Sequence, residues 1–185
     1  MSEEGHLTPA QDSLRQTWEE HPRHEFETKN TEETLATMVD DAHVNHVPVM
    51  TGGAGREGLR EFYSKRFISQ MPPDVQIIPI SRTVGSDQLV DEMIFKFSHT
   101  VRMDWMLPGL APTGRPVEVP LVAIIRFRGD KVVHEHIYWD QACVLVQLGL
   151  LETGSLPVAG VESARKAMDE SLPSNALIER AEHPP

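Results

Sequence analysis

The 185 residues predict an α+β domain, and three observations carry that expectation. Apolar residues recur at helical steps as far as Met71, the double proline Pro72-Pro73 interrupts, and from Val75 to Asp140 the pattern is strand-like with glycine-containing breaks. Helices followed by strands describe an α+β arrangement, not alternating βαβ units. The length suits one compact domain with a single core.

Residues 1–10 read as a flexible, acidic and polar arm, and the domain is expected over 11–151. In SLRQTWEEHPRHEF, Leu14 and Trp18 lie four apart on one helical face. Asn30 or Thr31 can cap a short helix in TEETLATMVDDA, with Glu33 near its third position. HVNHVPVM alternates like a strand, and TGGAG lacks both the Lys-Ser/Thr of a P-loop and dinucleotide-fingerprint spacing, so it reads as a turn. From Gly55, the apolar set Leu59, Phe62, Tyr63, Phe67 and Met71 marks an amphipathic helix stopped by the prolines.

Four long strands follow: VQIIPISRTVG, DQLVDEMIFKFSHTVRMDWM, RPVEVPLVAIIRFR and KVVHEHIYWD. Pro120 marks an edge or a bulge in the third. QACVLVQLGLL reads as a short closing helix or a strand end. Residues 152–185, rich in Gly, Pro, Ser and mixed charge, read as an extension outside the core, with a helix around 161–170.

Charge bounds the partners. With 28 acidic against 17 basic residues the net charge is −11, and the cations form no stripe, which argues against nucleic acid or an anionic membrane surface. No apolar run reaches spanning length and no leader-like segment opens the chain, so a cytoplasmic protein is expected. The single cysteine, Cys143, excludes an internal disulfide and sits in an apolar run as a small buried residue.

Strand parity selects the inward side chains, because alternate residues share a face. From Leu89 the buried face carries Asp91, Met93, Phe95, Phe97, His99, Val101, Met103 and Trp105. On the last strand Val133, Glu135, Ile137 and Trp139 face inward, while His134, His136, Tyr138 and Asp140 face out. A buried carboxylate with no cationic partner resists ionisation, which suits Glu135 to proton transfer beside an inward His99. The bland alternative is that both are structural polar groups, and a one-residue slip would turn His134, His136 and Asp140 inward instead. Asp40-Asp41 and Asp91-Glu92, parity aside, read as helix-end and strand-surface pairs, and Arg126 and Arg128 as solvated charges or dimer contacts.

His134 and His136 on one strand face, with His43 and His46 upstream, make a metal site conceivable. No G-x-S-x-G elbow is present.

The order of VNHVP, GGAGREGLREFY and GDKVVHEHIYWDQACVLVQLGLL resembles the SnoaL-like branch of the nuclear transport factor 2 superfamily over about residues 30–151. That resemblance implies a cone-shaped, curved sheet wrapped around helices, one apolar pocket and a homodimer formed through the sheet. It also implies cofactor-free chemistry, as in the polyketide cyclases, ketosteroid isomerases, scytalone dehydratases and limonene epoxide hydrolases of the superfamily. Position for position, Ile137 stands where several such enzymes carry their strand-end acid, and Glu135 lies two residues earlier on the same face. His46, two before Pro48, matches a pocket-lining position. Trp139, Trp105, Phe95 and Phe97 would wall the pocket, Tyr63 would offer a hydroxyl, and Asp140 would be a structural cap.

The resulting expectation is a cofactor-independent isomerase, cyclase or dehydratase acting on a hydrophobic carbonyl compound. Glu135 would be the base, with His99 and His46 donating to the developing enolate oxygen. A non-catalytic small-molecule-binding module is the alternative, and a His-ligated metal enzyme the lesser one.

Overall fold

In a computed structural model, which describes residues 7–154 and 156–182, six strands form one curved, unclosed sheet with helices packed in its concavity and around it. Helix α1 (Pro9–Phe26) begins with a capping box in which the Thr8 side chain accepts from the Gln11 amide and the Gln11 side chain accepts from the Thr8 amide. Pro9 occupies the first turn, where a missing N–H costs nothing. Its buried stripe is Leu14, Trp18, His21 and Glu25. Helix α2 (Thr31–Ala36) is capped by Asn30, whose Oδ1 accepts from the amides of Glu32 and Glu33.

Strand β1 (Met38–His46) starts earlier than the alternation in HVNHVPVM indicates, taking over the end of the segment expected to be helical. TGGA is not merely a turn. It is an edge strand, β2 (Thr51–Ala54), antiparallel to β1. The glycines permit this: a Cβ on Gly52, where φ is +148°, would lie 1.9 Å from the Val44 carbonyl oxygen.

Helix α3 (Gly55–Phe62) continues through one π turn (Tyr63–Phe67) and a 3₁₀ turn (Ile68–Gln70) before Pro72-Pro73. Tyr63 and Phe67, four apart across that turn, are both buried in the core.

Strands β3 (Gln76–Val84), β4 (Gln88–Ser98), β5 (Pro116–Arg128) and β6 (Lys131–Trp139) form an antiparallel meander, and β6 pairs parallel with β1. The strand order is β2-β1-β6-β5-β4-β3. The strand expected to reach Trp105 ends at Ser98. Pro120 lies in a central strand without a bulge, but β5 and β6 pair only from Leu121 onward, so beside Pro120 that edge of β5 is unpaired.

Helix α4 (Gln141–Gln147) is capped by Asp140, whose carboxylate accepts from the amides of Ala142 and Cys143. Helices α5 (Glu162–Met168) and α6 (Ala176–Glu182) follow. α5 packs against β5 with Ala164 fully buried, and the Cys143 thiol donates to the Gly160 carbonyl, so part of the extension is docked on the domain. Among the described residues no helix is long and apolar enough to cross a membrane.

Candidate functional site

Sheet register aligns the inward residues in rows. One row runs Val44, Glu135, Ile125, Leu89; the next runs His46, Ile137, Ala123, Asp91, Arg82. Helix α1 lies over these rows and completes them from above. Its His21 meets Glu135 at 2.9 Å and Glu25, one helical turn on, at 3.1 Å, all through Nε2. Tyr63, from the π turn, stands 3.1 Å from the same Nε2 and donates to Glu135 Oε1 at 3.3 Å.

The protons on His21 can be placed. The Thr37 hydroxyl donates to the Thr34 carbonyl at 2.7 Å, so its 2.6 Å contact with His21 Nδ1 requires Nδ1–H to be the donor. With two carboxylates at Nε2, that nitrogen is also protonated. His21 is completely buried, and burial opposes its charge, but Glu135 and then Glu25 outweigh burial and push its pKa up to about 10. Burial raises Glu25, His21 pulls it back, and neighbouring Glu135 adds to the rise. Burial also pushes the Tyr63 phenol up, helped by both carboxylates.

Glu135 therefore has a cationic partner, contrary to the expectation of a lone carboxylate. The signal was present in α1: Leu14, Trp18, His21 and Glu25 follow steps of four, three and four on one stripe.

Beside this cluster lies a cavity of about 140 Å³, on the order of the ~150 Å³ that takes up a benzene ring. Glu25, Glu135, Tyr63 and His46 supply its polar wall, and His21 stands behind them. Phe67, Phe95, Trp105 and Ile137 are among its apolar walls. Its mouth lies where half-buried Pro22 and Phe26 of α1 face exposed Ile77 and Arg82 of β3. There Asp91, which is buried and not a strand-surface residue, accepts from the Trp18 indole at 2.6 Å and from Arg82 at 2.5 and 2.7 Å.

His46 is buried among Phe62, Phe67, Trp105 and Trp139, and burial lowers its pKa to about 4, so it is neutral. Its Nδ1 and the Trp105 Nε1 are buried with no protein partner. Unpaired buried donors and acceptors of this kind are costly unless a ligand meets them.

Three expected site residues fall elsewhere. His99 is inward and buried as parity requires, but it follows the end of β4, bonded to Thr113 at 3.3 Å, and does not line the cavity. Glu135 aligns with Leu89 at the opposite end of β4, ten residues away and so roughly 30 Å along the strand. Trp139 backs His46 and Phe97 backs Phe95, both outside the cavity lining.

The histidines weighed as metal ligands divide between faces. His46 is inside, whereas His43, His134 and His136 meet on the outer face. His21, Glu25 and Glu135 also lie close enough to hold one ion, although their nearest atoms already bond one another.

The SnoaL-like polyketide cyclase family profile matches residues 19–148. The chain belongs to that family. No curated protein matches it in sequence. Among solved structures it is similar to a candidate SnoaL-like polyketide cyclase from Jannaschia sp. CCS1, at 18% identity and a TM-score of 0.62 over 80% of this chain and 99% of that one. A protein of ketosteroid isomerase-like fold from Catenulispora acidiphila, in complex with trimethylamine, gives 18% identity and 0.55 over 78% and 96%. SalBIII, an epoxide hydrolase/cyclase-like enzyme of pyran ring formation in salinomycin, gives 13% and 0.54 over 70% and 92%. The SnoaL-like cone fold is thus shared well beyond detectable sequence kinship.

Proposed function

We propose that this SnoaL-like protein is a cofactor-independent cyclase or isomerase that moves a proton on a hydrophobic carbonyl compound. The observation that carries the reading is a pair of buried carboxylates, held at one imidazolium, that opens onto an apolar cavity. Both contacts to Glu135 fall on Oε1, which leaves Oε2 to take a proton from carbon beside a carbonyl. Glu135 then returns that proton at the product carbon, while Glu25 remains the second carboxylate that keeps His21 charged. The developing oxygen charge is met by the Trp105 indole N–H and by neutral His46, whose free nitrogens otherwise lack partners. His21 is a positioning residue, since it touches the carboxylates and does not line the cavity.

The cavity volume suits one ring; the rest of a polyketide-like substrate would extend through the mouth past Arg82. The cyclase-like role of SalBIII agrees with this class of chemistry.

The test is hydrogen–deuterium exchange next to the carbonyl of small cyclic ketones in D₂O, followed by proton NMR. Glu135→Gln should slow exchange by about 10²–10⁴-fold while ketone affinity and the circular dichroism spectrum stay unchanged. An unaltered rate would remove Glu135 as the base. Ketone binding without exchange in the native protein would favour a binding module, to which the unpaired nitrogens of His46 and Trp105 are equally suited.

A further inference from the structure

We propose that His43, His134 and His136 form a binding site for one divalent transition-metal ion of the zinc class, on the outer sheet face and separate from the cavity. The ligand atoms of the three lie within 4.8 Å of one another. His43 Nε2 and His136 Nε2 are 3.0 Å apart, and the His134 and His136 rings stack at 4.3 Å. Tetrahedral zinc with Zn–N of about 2.0–2.1 Å needs ligand nitrogens roughly 3.3 Å apart, so small ring rotations bring the set to that spacing.

The ligands come from regular strands. His134 and His136 alternate on β6, and the parallel register places His43 beside His134 and Asn45 beside His136. Side chains mounted on paired strands are held more firmly than loop residues.

The nearest outward acid on β1, Asp41, is already paired with Arg128 at 2.9 Å. The site therefore offers three imidazole nitrogens and leaves a fourth position for water. Glu135 alternates with these histidines and faces the other way, so the ion would not reach the cavity. It would instead tie β1 to β6 across the parallel seam of the sheet.

A hydrogen bond between His43 and His136 would by itself account for their 3.0 Å contact, so the experiment must separate the two. Untagged full-length protein, stripped with a chelator, is titrated with Zn²⁺ by calorimetry and with Co²⁺ by visible absorption. The expected result is one ion per chain at micromolar affinity or tighter, the intense d–d bands of tetrahedral Co²⁺, and a melting temperature several degrees higher with Zn²⁺. His43→Gln and His136→Gln should each weaken binding at least tenfold, and Glu135→Gln should not change it. Absence of binding, or binding insensitive to both histidine variants, overturns the site. So does binding lost in Glu135→Gln, which would assign the ion to His21, Glu25 and Glu135. If a histidine variant folds poorly, nitrogen-15 imidazole spectra of the native protein decide: Zn²⁺ must shift the ring signals of these three histidines and leave those of His21 and His46 in place.

Discussion

Strand β6 carries two opposite treatments of ionisable groups on alternate residues. On its inner face Glu135 meets a completely buried imidazole that is held charged, because two carboxylates outweigh the cost of burial. On its outer face burial, with neighbouring imidazoles adding to it, biases the half-buried His134 and His136 to the neutral form. Burial disfavours the charged form on both faces, and only on the inner one do neighbouring carboxylates reverse it.

The largest test of that contrast removes the inner cation. His21→Ala leaves Glu25 and Glu135 facing each other without compensation, and urea unfolding at pH 7 should show a loss of about 3–5 kcal/mol. A loss under about 1 kcal/mol would mean that the carboxylates are already neutral without His21.

The pH dependence of stability comes next. The folded pKa of His21, about 10, lies above its ordinary 6.5, so its contribution is complete below pH 6.5 and fades as pH rises towards 10. The folded pKa of His46, about 4, lies below 6.5, so stability falls as pH drops from 6.5 towards 4. Glu25, whose raised pKa favours the folded state at low pH, opposes that acid limb. Each fully expressed limb is limited to about 1.4 kcal/mol per pH unit for one group. A maximum near pH 6.5 with the steeper fall on the alkaline side is expected from denaturant midpoints; a plateau from 6.5 to 10 would contradict the charged state of His21.

Asp91→Asn, which weakens the bonds from Arg82 and Trp18 at the cavity mouth, should cost about 1–3 kcal/mol. It should leave the alkaline limb intact, because Asp91 has no contact with His21. The smallest effect is expected outside: His134→Gln in metal-free protein should stay within about 0.5 kcal/mol of the native chain. A large loss there would mean that the outer imidazoles already contribute to holding β1 against β6.

The strands and their inward faces could be read from period-two alternation, and Glu135 was reached in that way, whereas His46 came from the family resemblance, at its place two before Pro48. His99 shows where the method stops. Parity assigns a face but not a position along the strand, and a residue at the wrong end of β4 satisfies it equally well. His21 and Glu25 were missed because a histidine and a glutamate on a helix do not read as core, although their spacing continues the Leu14–Trp18 stripe. β2 was hidden because glycines that admit a close backbone neighbour look the same in sequence as glycines that make a turn.

The cluster at His21 is also a statement about when the molecule becomes itself. Tyr63 stands 42 positions from His21 in the chain, and Glu135 stands 72 beyond Tyr63. Contacts of such separation form only after long loops have closed, which slows folding. Until β6 has joined the sheet and α1 has docked over it, the three charges are solvated and the cavity has no wall. The carboxylate pair and its cavity thus exist only in chains that have finished folding.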